Sequence, residues 1–131
     1  MKIIQLLTPK IAVQWLSVAD TVRDAFDHLE TYGLGASPML DWNGRYIGTV
    51  TEADLRRHVV NAIDRDLALA TPIAQIERRS SNTAVTMDCE VDSVIDQALL
   101  HPFVPVIDDV GRFLGLVDRK RLLDTRLPSA A

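Results

Sequence analysis

The residues of this chain best spaced for chemistry are Gly48, Thr51 and Asp54, in the run Gly48-Thr49-Val50-Thr51-Glu52-Ala53-Asp54. Thr51 and Asp54 form a capping-box pattern: a hydroxyl accepts from the free amides of a helix start, and an acid three residues on reaches back to the hydroxyl's own amide. The run recurs as Gly115-Leu116-Val117-Asp118-Arg119-Lys120-Arg121, with Asp118 replacing the hydroxyl and Arg121 replacing the acid. Asp118 keeps the ability to cap. Arg119, Lys120 and Arg121, however, put three cations in the first turn of a helix, where each opposes the helix dipole by tenths of a kcal/mol. Such placement points to an anion partner, a bridging phosphate for example. A solvated basic face is the plainer alternative.

Nothing else in the chain is arranged for catalysis. His28, His58 and His101 are far apart and show no metal-ligand spacing. No nucleophile, base and orienting group fall together, and there is no phosphate-loop or dinucleotide-binding glycine pattern. The expectation is a protein that is not an enzyme and requires no cofactor. A net charge of −4 argues against a nucleic-acid partner, since neutralising phosphates takes a basic face. No stretch approaches the ~20 apolar residues of a membrane span, and no signal peptide is visible. The single cysteine, Cys89, cannot close an internal disulfide. A cytoplasmic location with no membrane partner is expected.

The elements around these residues are written twice. Pro38, Asp41, Gly44, Arg45, Gly48, Val50 and Leu55 each recur 67 positions later, as Pro105, Asp108, Gly111, Arg112, Gly115, Val117 and Leu122. A gapless match of that length makes the chain a tandem repeat. In each copy an apolar run ends in an Asp–Gly turn, a β-branched and aromatic strand follows, and a helix begins. Leu55, Val59, Ala62 and Ile63 predict one face of that helix.

Further out, Val13–Val18 and Thr83–Met87 read as the first strands, and Asp20–Tyr32 and Glu90–Leu100 as the helices after them, ended by Gly33 and by His101-Pro102. Thr8-Pro9 and Thr71-Pro72 each read as an N-cap opening a helical turn. Asn61–Ala70 joins the halves, Trp15 is expected in the core, Trp42 is expected exposed in its hairpin, and the tail Leu127–Ala131 is expected to fray. Each half thus reads strand, helix, strand, strand, helix, divided as 1–65 and 66–131. At this size neither half buries enough core alone. The expected class is α/β (α+β): two small β-α-β-β-α repeats packed as a pseudo-twofold pair.

This order of elements, with Gly48–Asp54 following a Pro-x-x-Asp-x-x-Gly-Arg hairpin, resembles the cystathionine β-synthase-type (CBS) domain, and two in tandem resemble a CBS pair, or Bateman module. The likeness runs from Thr8 to about Asp124. His101–Asp109 and Glu77-Arg78-Arg79 are further similar to small stand-alone bacterial CBS-pair proteins, some of which are receptors for cyclic di-AMP. The resemblance implies binding of adenosine compounds (AMP, ADP, ATP, S-adenosylmethionine, cyclic di-AMP) in clefts between repeats, homodimers formed through the helices, and no catalysis.

It also implies roles for particular residues. Asp54 would accept from both ribose hydroxyls, Thr51 and the helix N-terminus would favour a phosphate, and Gly48 would clear space. The base would lie against Phe103, Val104 and Pro105, with Thr83 nearby. Capping alone remains the other reading of Thr51 and Asp54. Arg119, Lys120 and Arg121 would form a second anion site, where Ala12 and Gln14 stand in place of an expected cation. Two functions follow as expectations: a regulatory module that signals to a separate effector protein, or a constitutive dimeric adaptor with decayed sites. A crevice between repeats plugged by side chains, with Asp54 turned inward to its own backbone, would rule out the sensor and leave only a scaffold.

Overall fold

The structure is a computed structural model that describes residues 1–79 and 81–126; the tail Leu127–Ala131 lies outside the described residues. The chain divides into two compact units, Gln14–Ser81 and Met1–Val13 together with Asn82–Ala131.

Numbering strands along the whole chain, β1 is Thr8–Pro9, and the unit Gln14–Ser81 holds β2 (Leu16–Ser17), α1 (Val22–Tyr32), β3 (Ala36–Leu40), β4 (Tyr46–Thr51), α2 (Glu52–Val60) and α3 (Arg65–Ala70). Its sheet has the order β2-β3-β4, with β2 parallel and β4 antiparallel to β3. The β3–β4 turn closes on Asp41, whose Oδ1 accepts from the amides of Asn43 and Arg45 at 2.9 Å. Thr21 and Asp24 cap α1 reciprocally. The buried stripe Val22, Ala25 and Leu29 then packs with Leu16, Met39, Val50, Leu55, Ile73 and Ile76 into one apolar core.

Three expectations are corrected here. Only Leu16–Ser17 of Val13–Val18 pairs as strand, because the Gln14 carbonyl accepts from the Ser37 hydroxyl at 2.9 Å instead. Trp15 is 41% exposed and is not in the core. The helix α2 stops at Val60, so Ile63 lies beyond it and is fully exposed. Asp64 has begun a new helix there, its Oδ1 accepting from the Asp66 and Leu67 amides.

The other unit repeats the plan with one addition. It holds β1, β5 (Val85–Thr86), α4 (Ile95–Leu100), β6 (Phe103–Ile107), β7 (Phe113–Asp118) and α5 (Arg119–Asp124), in sheet order β1-β7-β6-β5. The β6–β7 turn copies β3–β4, with Asp108 Oδ1 accepting from Val110 and Arg112. The register shift near the end of β3, between Met39 and Leu40, recurs between Val106 and Ile107. The run Glu90–Leu100 is helical in two pieces, a 3-10 turn over Val91–Val94 and then α4.

The addition is the N-terminus. The compact units are not the halves 1–65 and 66–131, since residues 1–13 pack with the second repeat. Ile3 is fully buried in the core formed by Val91, Val94, Ala98, Val104, Val106, Val117 and Leu122. Its amide bonds the Cys89 carbonyl at 2.8 Å, and Lys2 pairs with Glu90 at 2.7 Å. Thr8 is therefore a strand residue opposite Leu116, not a helix cap. Lys10–Ala12 does form the expected single turn.

That pairing places the Thr8 carbonyl where a Cβ on Gly115 would stand, and Gly115 has φ 152°. The obstruction is backbone, which cannot swing aside. Gly115→Ala is expected to lower stability by about 2–3 kcal/mol, read as a shifted denaturant midpoint. A midpoint equal to that of the parent chain would show that β1 is not held on β7 in solution.

Candidate functional site

The strand β4 and the helix α2 meet at Thr51, the N-cap, whose Oγ1 accepts from the Asp54 amide at 3.1 Å. Asp54 Oδ2 accepts in return from the Thr51 amide at 3.4 Å. The other oxygen is also engaged: Oδ1 accepts from the Arg57 guanidinium at 2.5 Å and from the Arg79 amide at 3.3 Å. Asp54 is only 3% exposed. Burial pushes its carboxyl up, but the hydrogen bonds from Arg57, Thr51 and Arg79 together outweigh that and hold it below the ordinary carboxylate range.

On the preceding strand the Arg78 guanidinium lies over Gly48, in the space a Cβ would fill. Arg78 is half-buried. Tyr46, on the same strand, bonds Thr49 Oγ1 at 2.7 Å. Burial raises its phenol to about 12, against the opposing pull of the Thr49 hydrogen bond and the Arg78 charge, so the phenol stays neutral. Among the described residues no carboxylate lies within ion-pair range of Arg78 or Arg79. A neighbouring cleft of about 240 Å³ is lined by Arg57, His58, Asn61, Ala62, Glu77 and Arg79.

Gly48, Thr51 and Asp54 thus lie in one unit, with the Arg57 guanidinium and the Arg79 amide on Asp54 and the Arg78 guanidinium on Gly48. The ion pair of Arg57 with Asp54 was missed, though its helical i,i+3 spacing could have signalled it, whereas no local signal places Arg78 on Gly48. The chemistry available is anion binding by guanidinium and helix N-terminus. The capping contacts of the alternative reading are all present.

The remaining candidates lie in the other unit. Thr83 is exposed, and its carbonyl accepts from Gln97 at 2.6 Å. Phe103, Val104 and Pro105 are buried on β6, with Val104 inside the apolar core. Asp118 does not cap α5: its carboxylate is exposed and makes no cap hydrogen bond. Arg121 stands where the reciprocal acid would be, so that half of the box is lost. Arg119 Nε donates to the His101 carbonyl and Arg121 to the Leu6 carbonyl, both at 2.9 Å. Lys120 is exposed. Two of these three cations therefore serve backbone carbonyls.

The family model for the CBS domain matches residues 6–61. Over that stretch the chain is similar to the CBS domain family. An uncharacterized 17.7 kDa protein of Acidianus ambivalens is 28% identical over 123 residues, covering 92% of this chain and 70% of that one. Among solved structures, CbpB in complex with c-di-AMP superposes with a TM-score of 0.83 at 20% identity, over 96% of this chain and 84% of that one. CBSX2 in complex with AMP superposes with a TM-score of 0.78 at 18% identity, over 95% of each. At those identities the likeness is one of fold, and the fold is that of a CBS pair. No described helix is long and apolar enough to cross a membrane.

The depressed carboxyl of Asp54 has a consequence for folding. A group whose folded pKa lies below its unfolded value stabilises fully above the unfolded value, about 4, and loses that contribution as pH falls through the folded value. Asp54→Asn is expected to melt below the parent chain at neutral pH, with the gap narrowing only below about pH 4. A gap that stays constant through the carboxylate range in paired thermal melts would refute the role given to this ion pair.

Proposed function

We propose that this chain is a non-catalytic regulatory module that binds an adenosine-containing nucleotide at Gly48, Thr51 and Asp54 and passes the signal, as a homodimer, to a separate effector protein. The observation that carries the reading is the buried Asp54 carboxylate at the start of α2, bonded by the Arg57 guanidinium and the Arg79 amide, with the Arg78 guanidinium on Gly48 of the same unit. A carboxylate suits a pair of ribose hydroxyls, and guanidinium groups suit phosphate. The bound AMP of CBSX2 and the bound c-di-AMP of CbpB, both on this fold, support the same ligand class. Binding would shift a conformational equilibrium by no more than the difference in ligand affinity between the two states.

The second reading, a constitutive dimeric adaptor, has its own observation. Both Asp54 oxygens are already bonded within the chain, and Arg78 covers Gly48. A thermal-shift panel of AMP, ADP, ATP, S-adenosylmethionine and cyclic di-AMP separates the two. The nucleotide reading expects stabilisation of about 2.7 kcal/mol at a hundred times the dissociation constant of the right ligand. It also expects the loss of that gain in Asp54→Ala. Absence of any shift leaves the adaptor. A shift that survives Asp54→Ala moves the site to Arg119, Lys120 and Arg121.

A further inference from the structure

We infer that Arg78 is a side-chain plug on the Gly48 site and the residue that makes occupancy conditional on phosphate. The inference rests on the nucleotide reading above and adds to it the ligand class that can open the site.

The guanidinium lies where a Cβ on Gly48 would be, so the missing side chain is what admits it. A strand alanine or serine there would push Arg78 away from β4. Arg57 has Asp54 as its counter-ion. Arg78 differs: it is half-buried, and among the described residues no carboxylate is within ion-pair range. Its charge does reach Tyr46, but that phenol is neutral at physiological pH and offers only a dipole. A cation partly removed from water without an opposite charge is unfavourable, and an anion brought to it is correspondingly favoured.

A ligand that reaches Gly48 has to move this guanidinium. A phosphorylated ligand moves it and then recaptures it, since the planar fork of arginine matches phosphate oxygens. An uncharged nucleoside has the same displacement to make and offers nothing in return. The plug therefore discriminates by charge, and the selectivity resides in the segment Glu77–Arg79 and not in the ribose-facing motif. The Arg79 amide on Asp54 anchors that segment, which keeps Arg78 over the strand.

The test is isothermal titration of the full chain with adenosine, AMP and ATP, for the parent and for Arg78→Ala, Arg78→Gln and Arg78→Lys, with circular dichroism and melting to verify folding. The parent is expected to prefer ATP to adenosine by at least about tenfold, the equivalent of 1.4 kcal/mol. In the Ala and Gln variants adenosine should bind more tightly and ATP more weakly, so that the preference falls by about tenfold or more. Arg78→Lys should retain part of it. A preference unchanged in both neutral variants overturns the plug while leaving the nucleotide reading in place. If none of the three probes binds the parent or any folded variant, the plug is overturned, and the nucleotide reading falls with it where the thermal-shift panel, cyclic di-AMP included, is silent too.

Discussion

A single buried carboxylate organises the first unit. Asp54 would be costly to bury alone, and it is tolerated because the Thr51 amide, the Arg57 guanidinium and the Arg79 amide all donate to it. Those donors come from the end of β4, the second turn of α2 and the segment after Ile73–Gln75, so one side chain ties three parts of the chain together. The tie to Arg79 also sets Arg78, one residue earlier, on Gly48. A group that could have served only as a helix cap thereby decides which side chain covers the neighbouring strand.

The two repeats show how one backbone plan carries different chemistry. Their hairpins share turn hydrogen bonds, register and the position of a register shift. Even the first amide of the closing helix is bound alike, Glu52 to the Gly35 carbonyl and Arg119 to the Pro102 carbonyl. At the start of the closing helix the side chains diverge, Thr51 against Asp118 and Asp54 against Arg121 among them. In the first repeat they build a satisfied carboxylate among cations. In the second an aspartate that makes no cap hydrogen bond is left exposed, and arginines are turned to carbonyls of Leu6 and His101. Backbone hydrogen bonds need no particular residue, so the frame persists where the motif does not.

Legibility followed the range of the interaction. Hairpins and caps depend on residues a few positions apart, and the Asp–Gly turns and the Thr51 cap were readable from spacing. The strand expected over Val13–Val18 was too long because Gln14 answers to Ser37, 23 residues away. Trp15 carried no mark of its exposure, since a tryptophan beside a strand is ordinarily taken for core.

By itself the amino-acid sequence determined the tandem repeat, the class of fold, and the location of Thr51 and Asp54 at a helix start, because all of these rest on local periodicity and identical spacing. Tertiary structure alone decided that residues 1–13 complete the second repeat and not the first, that Asp118 leaves its helix uncapped, and that Arg78 lies on Gly48. The first and the last of those outcomes come from a backbone or side chain meeting a partner tens of residues distant. Burial and hydrogen-bond satisfaction choose among such partners only once the chain has closed on itself.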